Sequence, residues 1–109
     1  MAFNNRQEAG KTVVGIEDAR LDASLSVPFR DYMFDLIANG QNDLVIDLSM
    51  VDFMDSSGLG AIVAVFKQLN GEGSVQLAAP QKAVHDLFYL TCMDQIFKIH
   101  GSVSEALSS

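Results

Sequence analysis

The stretch Asp43-Leu44-Val45-Ile46-Asp47-Leu48, followed after a turn region by Asp55-Ser56-Ser57-Gly58-Leu59-Gly60, decides the fold. Its first half is a continuous apolar run between carboxylates. That is the pattern of a central parallel strand with both faces covered. Its second half opens a helical period, with Leu59, Ile62, Val63, Phe66 and Leu69 apolar, which predicts a helix from Gly58 to Leu69. Asn70-Gly71-Glu72-Gly73 ends that helix, and Gly71 and Gly73 read as turn punctuation. The loop between strand and helix lies at a strand's carboxyl end, where open α/β sheets place their sites.

Working outward, Thr12 to Ile16 is β-branched and apolar and reads as a strand. Asp22-Ala23-Ser24 breaks it with turn and cap residues. A helix is predicted from Val27 to Ala38, with Ser26 as N-cap, Pro28 in the first turn, and Phe29, Met33, Leu36 and Ile37 on one core-facing stripe. Asn39-Gly40 stops it. Downstream, Val75 to Ala78 is a strand, and Gln81 to Leu90 a helix facing inward through Val84, Leu87 and Phe88. Ile96 to Ile99 reads as a last strand. Ser102-Val103-Ser104-Glu105 has capping-box spacing for a short terminal helix. Residues 1–10 are poorly patterned: a short edge strand or a frayed end, with Phe3 read as part of a loosely held end.

Strands alternating with helices imply right-handed parallel crossovers. The expected fold class is α/β: a single domain over residues 1–109, with a mixed, mostly parallel sheet flanked by helices.

Composition limits the function. Seven basic against 14 acidic residues leave a net charge of −7, the wrong sign for a general nucleic-acid or anionic-membrane binder. The apolar runs are far short of the ~20 residues that span a bilayer, and the first ten residues lack the apolar centre of a signal peptide. The single cysteine, Cys92, lies in an apolar stretch and reads as a buried inert thiol of a reducing compartment. These features point to a cytoplasmic protein. Ser56-Ser57-Gly58-Leu59-Gly60 is not a Gly-x-Ser-x-Gly elbow, and no Gly-Lys-Ser/Thr phosphate loop occurs. His85 and His100 lack ligand spacing with each other or with Cys92. Asp43, Asp47, Asp52 and Asp55 read as a solvated rim. No enzyme, metal or cofactor is expected.

The residue chemistry of the Ser56 loop suits a reversible phosphate. A serine at a helix start can serve as N-cap, and the helix dipole favours an anion there by about 0.3–1 kcal/mol. Phosphoserine would bring about −1.5 to −2 charges beside Asp55. The same residues also suit a plain helix cap, with Gly58 and Gly60 serving close helix–sheet packing. Local physics favours the plain cap, and it does not choose between Ser56 and Ser57.

Leu44-Val45-Ile46-Asp47-Leu48 with Val51-Asp52-Phe53-Met54-Asp55-Ser56-Ser57-Gly58-Leu59-Gly60 resembles the signature of STAS domains of the anti-sigma factor antagonist family. The likeness continues through Phe66-Lys67-Gln68, Gly73 and Val75. Upstream it includes Leu21-Asp22-Ala23, and downstream Phe88 and Ile96-Phe97-Lys98-Ile99. Two departures stand out: the first strand is poorly marked, and the approach to the first helix is one residue longer than is common.

The resemblance implies phosphorylation of the serine directly after the motif aspartate, here Ser56. The kinase implied is a serine kinase of the histidine-kinase-like ATPase fold, often itself an anti-sigma factor. The unmodified protein would bind that kinase and free its other client; a metal-dependent serine phosphatase would reverse the modification. The resemblance places the partner surface at Asp22, Ala23, Ser24, Asp55, Ser57, Gly58 and Leu59. A monomer is the simplest state for a switch that presents one face. The alternative is a STAS scaffold subunit, in a stress-sensing assembly or a lipid-transport ABC complex, with no serine switch.

Overall fold

The computed structural model describes residues 2–109. Two strands, β1 (Phe3–Glu8) and β2 (Lys11–Ile16), form an antiparallel hairpin, Phe3 facing Ile16 and Glu8 facing Lys11. Its two-residue turn places both Ala9 (φ 53°) and Gly10 (φ 79°) in the left-handed region, the geometry that matches strand twist. Alanine rarely adopts that conformation, so the hairpin carries no Asn-Gly type of signal. Phe3 is not loosely held. It is 8% exposed, and its ring packs against Phe29 (5.6 Å between centroids) and Tyr32 (5.2 Å). One anchoring aromatic on a strand otherwise exposed leaves no alternation to read.

From β2 the chain passes through a two-residue strand β3 (Arg20–Leu21) into α1 (Ala23–Ala38). Next come β4 (Asp43–Asp47), a second two-residue strand β5 (Phe53–Met54), α2 (Ser56–Leu69), and β6 (Ser74–Ala78). The chain ends with α3 (Lys82–Leu90), a 3-10 turn at Met93–Gln95, β7 (Ile99–His100) and α4 (Val103–Leu107). The main sheet has the order β1-β2-β4-β6-β7, parallel except for β1. The fold is thus the expected single α/β domain with a mixed, mostly parallel sheet.

Alternation along the strands divides the core. Val14, Ile16, Leu44, Ile46, Val75 and Leu77 face a cluster built by α1, α2 and α3, through Phe29, Met33, Ile62, Val65, Val84 and Phe88. Val13, Val45 and Ala78 face the other way, under Ala106, Val103 and Leu107 of α4. Both faces of Leu44-Val45-Ile46 are therefore covered, as its unbroken apolar run requires. On the α4 side, buried Gln76 is satisfied by His100 Nε2 (2.6 Å) and by the Ser109 hydroxyl (3.0 Å). The serine half of the terminal capping box forms, with Ser102 Oγ accepting from Glu105 N at 3.1 Å, while the Glu105 carboxylate accepts from Gly101 N (3.1 Å), one residue before the cap.

Several sequence expectations are corrected. The first helix begins at Ala23, four residues before Val27, because Asp22 rather than Ser26 caps it. Pro28 is consequently inside the helix. The hydrogen bond it forgoes would have gone to the Ser24 carbonyl, in an exposed first turn where water can replace it. The last strand is Ile99–His100, not Ile96–Ile99, since the 3-10 turn pulls Phe97 into the core and leaves Ile96 exposed. Cys92 is exposed at φ 60°, in the turn that terminates α3, so it is not a buried thiol. Gly73 does more than punctuate a turn: a Cβ there would lie 2.0 Å from the Asn42 carbonyl oxygen.

Candidate functional site

The site is assembled by a contact that local sequence patterns do not announce. β3 and β5 pair in parallel, Arg20 opposite Phe53 and Leu21 opposite Met54, as a two-stranded ribbon separate from the main sheet. The Ala19 carbonyl accepts from Asp52 N (2.8 Å) and Phe53 N (3.1 Å), and the Leu21 carbonyl from Asp55 N (3.4 Å). The residues that follow each strand, Asp22 and Asp55, are the N-caps of α1 and α2. The ribbon thereby sets two helix starts side by side.

Each cap is an aspartate because its carboxylate can accept from backbone N–H groups that the helix leaves free. Asp55 Oδ1 accepts from Ser57 N (2.9 Å) and Gly58 N (3.1 Å). Asp22 Oδ1 accepts from Ser24 N (3.0 Å) and the Ser24 hydroxyl (2.6 Å). The Ser24 hydroxyl, then Arg20 and the Ser24 N–H, hold the Asp22 carboxyl below its ordinary value. A depressed folded-state value means that these contacts contribute fully above the ordinary carboxylate range. The contribution is lost as pH falls through the lowered value.

Ser56 is therefore not a cap. It is the first residue of α2, which begins two residues before the Gly58 start expected from periodicity. Ser56 is exposed, Ser57 and Leu59 are half-buried, and Gly58 is buried. Leu59 packs partly against the core and is not freely presented. Gly58 lies where α2 meets the ribbon: a Cβ there would be 2.2 Å from the Leu21 carbonyl oxygen. Gly60 faces open space. Close packing therefore holds for Gly58 but not for Gly60, whose backbone is uncovered.

The structure brings together Asp22, Ala23, Ser24, Asp55, Ser56, Ser57 and Gly58. It adds residues that the sequence did not single out. The Arg20 guanidinium lies 4.1 Å from the Phe53 ring centroid and 3.2 Å from Asp22 Oδ2. Phe53 and Met50 beside the loop are exposed, at 39% and 59%. The excess of acid is local too: Asp18, Asp22, Asp52 and Asp55 lie on the two paired segments, with Arg20 the basic residue among them. The remaining rim aspartates have local structural partners, Asp47 accepting from Ser49 N in the turn after β4 and Asp43 from the Ser74 hydroxyl across the β4–β6 pair.

The Asp55 cap can be checked directly. Asp55→Ala is expected to cost about 1 kcal/mol in urea unfolding with the slope unchanged, while Asp55→Asn, still a good cap, should cost less. Equal stability of Asp55→Ala and wild type would mean that the two bonds contribute nothing.

A STAS domain profile matches residues 6–106. The chain belongs to the STAS domain family. A Thermotoga maritima protein named "Putative anti-sigma factor antagonist" is 34% identical over 96 residues, covering 86% of this chain and 79% of that one. Among solved structures, an anti-sigma factor antagonist from Mycobacterium paratuberculosis superposes with a TM-score of 0.89 at 25% identity, over 97% of this chain and 90% of that one. The anti-sigma factor antagonist SpoIIAA in its unphosphorylated form shares the STAS fold, with a TM-score of 0.81 at 21% identity over 97% and 93% of the two chains. SpoIIAA of Bacillus has also been solved in a phosphorylated form. Among the described residues of this STAS protein, no helix is long and apolar enough to cross a membrane.

Proposed function

We propose that this STAS protein is a phosphorylation-controlled partner-switching regulator, a binding protein and not an enzyme, acting in the cytoplasm as a monomer. With Ser56 unmodified it binds a serine kinase of the histidine-kinase-like ATPase fold that doubles as an anti-sigma factor. Phosphorylation of Ser56 releases that partner, and a metal-dependent serine phosphatase restores the binding state. Asp22, Ala23, Ser24, Asp55 and Ser57 surround Ser56 as the partner surface, with buried Gly58 and half-buried Leu59 supporting it from beneath.

The observation that carries this reading is the inequality of the two motif serines. Ser56 is exposed at the start of α2 and takes no part in the cap, whereas Ser57 is half-buried and gives its backbone N–H to Asp55. A kinase can reach the first without undoing the helix. SpoIIAA, which shares the fold, has been solved in both an unphosphorylated and a phosphorylated form, so the fold admits such a modification. Beside Asp55, the added charge confronts a partner fitted to the neutral loop with repulsion and desolvation.

The test is a quantitative pull-down with Ser56→Ala and Ser56→Asp baits side by side. Retention of an ATPase-fold kinase by the first and its loss from the second is expected. Equal recovery on both baits, above all of transporter or large-assembly subunits, would favour the scaffold alternative. In a phosphorylation assay with the retained kinase, Ser57→Ala should still accept phosphate. Loss of all phosphate from that variant, with Ser56 intact and the protein folded, would move the site to Ser57.

A further inference from the structure

We infer that, when Ser56 carries phosphate, Arg30 is its intramolecular counter-ion, holding the modified side chain over the groove between α1 and α2. The inference deepens the switch reading and rests on it for its biological meaning. Its test needs no kinase.

The groove has a volume of about 290 Å³, and Ser26, Val27, Arg30, Ser57, Gly60 and Ala61 line it. None of these is acidic. The groove opens beside the modification site, since Ser57 follows Ser56 directly and Gly60 lies about one turn further along α2. Nothing outside the backbone of α2 comes within 4 Å of where a Cβ at Gly60 would sit, so no other segment crowds the α2 wall of the groove one turn from Ser56.

Arg30 is the uncommitted cation of this region. Its Nε is shielded from water and has no hydrogen-bond partner among the described residues. A shielded donor without an acceptor is unfavourable and gains from any anion that reaches it. Its contact with Asp31 is long, 3.5 Å, between side chains that are 42% and 65% exposed, and such pairs hold weakly. The Phe34 ring lies 5.8 Å from the guanidinium and takes none of its N–H donors. Arg20, by contrast, is already stacked on Phe53 and bonded to Asp22.

Charge directs the phosphate the same way. Asp55 already takes the N–H groups of Ser57 and Gly58, so these helix-start donors are not available. The β3–β5 register brings Asp22 in beside Asp55, and both carboxylates repel a group carrying about −1.5 to −2 charges. The groove offers the opposite: no carboxylate in its lining, and a guanidinium whose planar fork suits phosphate oxygens. Phosphorylation would then fill the groove with the protein's own side chain. A partner would lose the neutral serine and the groove together.

The experiment installs phosphoserine at position 56 by genetic code expansion and follows its ³¹P resonance through a pH titration. The phosphate's second ionisation, ordinarily near pH ~6, is expected about half a pH unit lower. Arg30→Gln should return it to the ordinary value, Arg30→Lys should keep part of the effect, and Arg20→Gln should leave it low. The Arg30 Nε–H resonance of the otherwise unaltered protein should also move between the serine and phosphoserine forms, a readout that does not depend on any variant folding. An ionisation indifferent to Arg30→Gln, one restored by Arg20→Gln alone, or an Arg30 resonance that stays in place would each overturn the inference. A cell that never phosphorylates Ser56 would instead sink the switch reading and leave this titration as it is.

Discussion

Gly58→Ala is expected to lower folding stability by about 3 kcal/mol or more, at the upper end of overpacking costs, while Gly60→Ala on the same turn should be neutral or slightly stabilising. The added methyl at position 58 would meet the Leu21 carbonyl oxygen at 2.2 Å, Leu21 Cγ at 2.9 Å and Met54 Cγ at 3.0 Å. The closest of these is backbone of the β3–β5 ribbon, so it cannot turn aside as a side chain can. Relief requires α2 to part from the ribbon that holds Asp22 alongside Asp55. At Gly60 nothing lies within 4 Å, and alanine in a helix interior is favoured over glycine by roughly 0.5–1 kcal/mol. For a domain of this size each kcal/mol moves the melting temperature by about 4–8 °C, so Gly58→Ala should melt on the order of 10 °C or more below wild type. Thermal melts followed by circular dichroism decide it. Matching melting temperatures for the two variants would mean that α2 does not approach Leu21 closely.

The second large effect concerns binding. Against the kinase retained by the Ser56→Ala bait, Ser56→Asp should bind about a hundredfold more weakly, a difference of ~2.7 kcal/mol. Ser56→Ala should match the unmodified protein. The new carboxylate would stand next to Asp55, whose position is fixed by its two bonds into α2, so Asp55 cannot retreat from it without uncapping the helix. A phosphate carries more charge than aspartate, so the phosphoserine protein should bind more weakly still. Titration calorimetry with the purified partner gives the ratio. Affinities within twofold for the two variants would reduce Ser56 to an ordinary first residue of α2.

Much of the fold was legible along the chain because its strands and helices keep their own periods. Leu44-Val45-Ile46 could only be a strand covered on both sides, and α4 supplies the second cover. The α2 helix and its Asn70-Gly71 stop read correctly for the same reason, although the buried face runs through Ala61, Ile62, Val65 and Leu69 and leaves Phe66 exposed. The edge strand β1 did not, because Phe3 is its one buried side chain and Ala9 stands where turn chemistry would lead one to look for Asn or Gly. The start of α1 was misplaced because three candidate caps, Asp22, Ser24 and Ser26, follow one another. The pairing of β3 with β5 decides in favour of Asp22.

The sequence by itself determined the strand–helix alternation, the acidic character, and the Asp55-Ser56 pair at the mouth of a helix, since each depends on residues near one another in the chain. The tertiary structure alone decided that Asp55 and not a serine caps α2, and that Asp22 stands beside it. It alone joins Arg30 and Ser57 in one groove and leaves a glycine as the only residue that fits at position 58. These outcomes rest on hydrogen bonds and close approaches between segments some thirty residues apart. Two-residue strands have no period to reveal them, and the space around a Cβ exists only after the helix has docked.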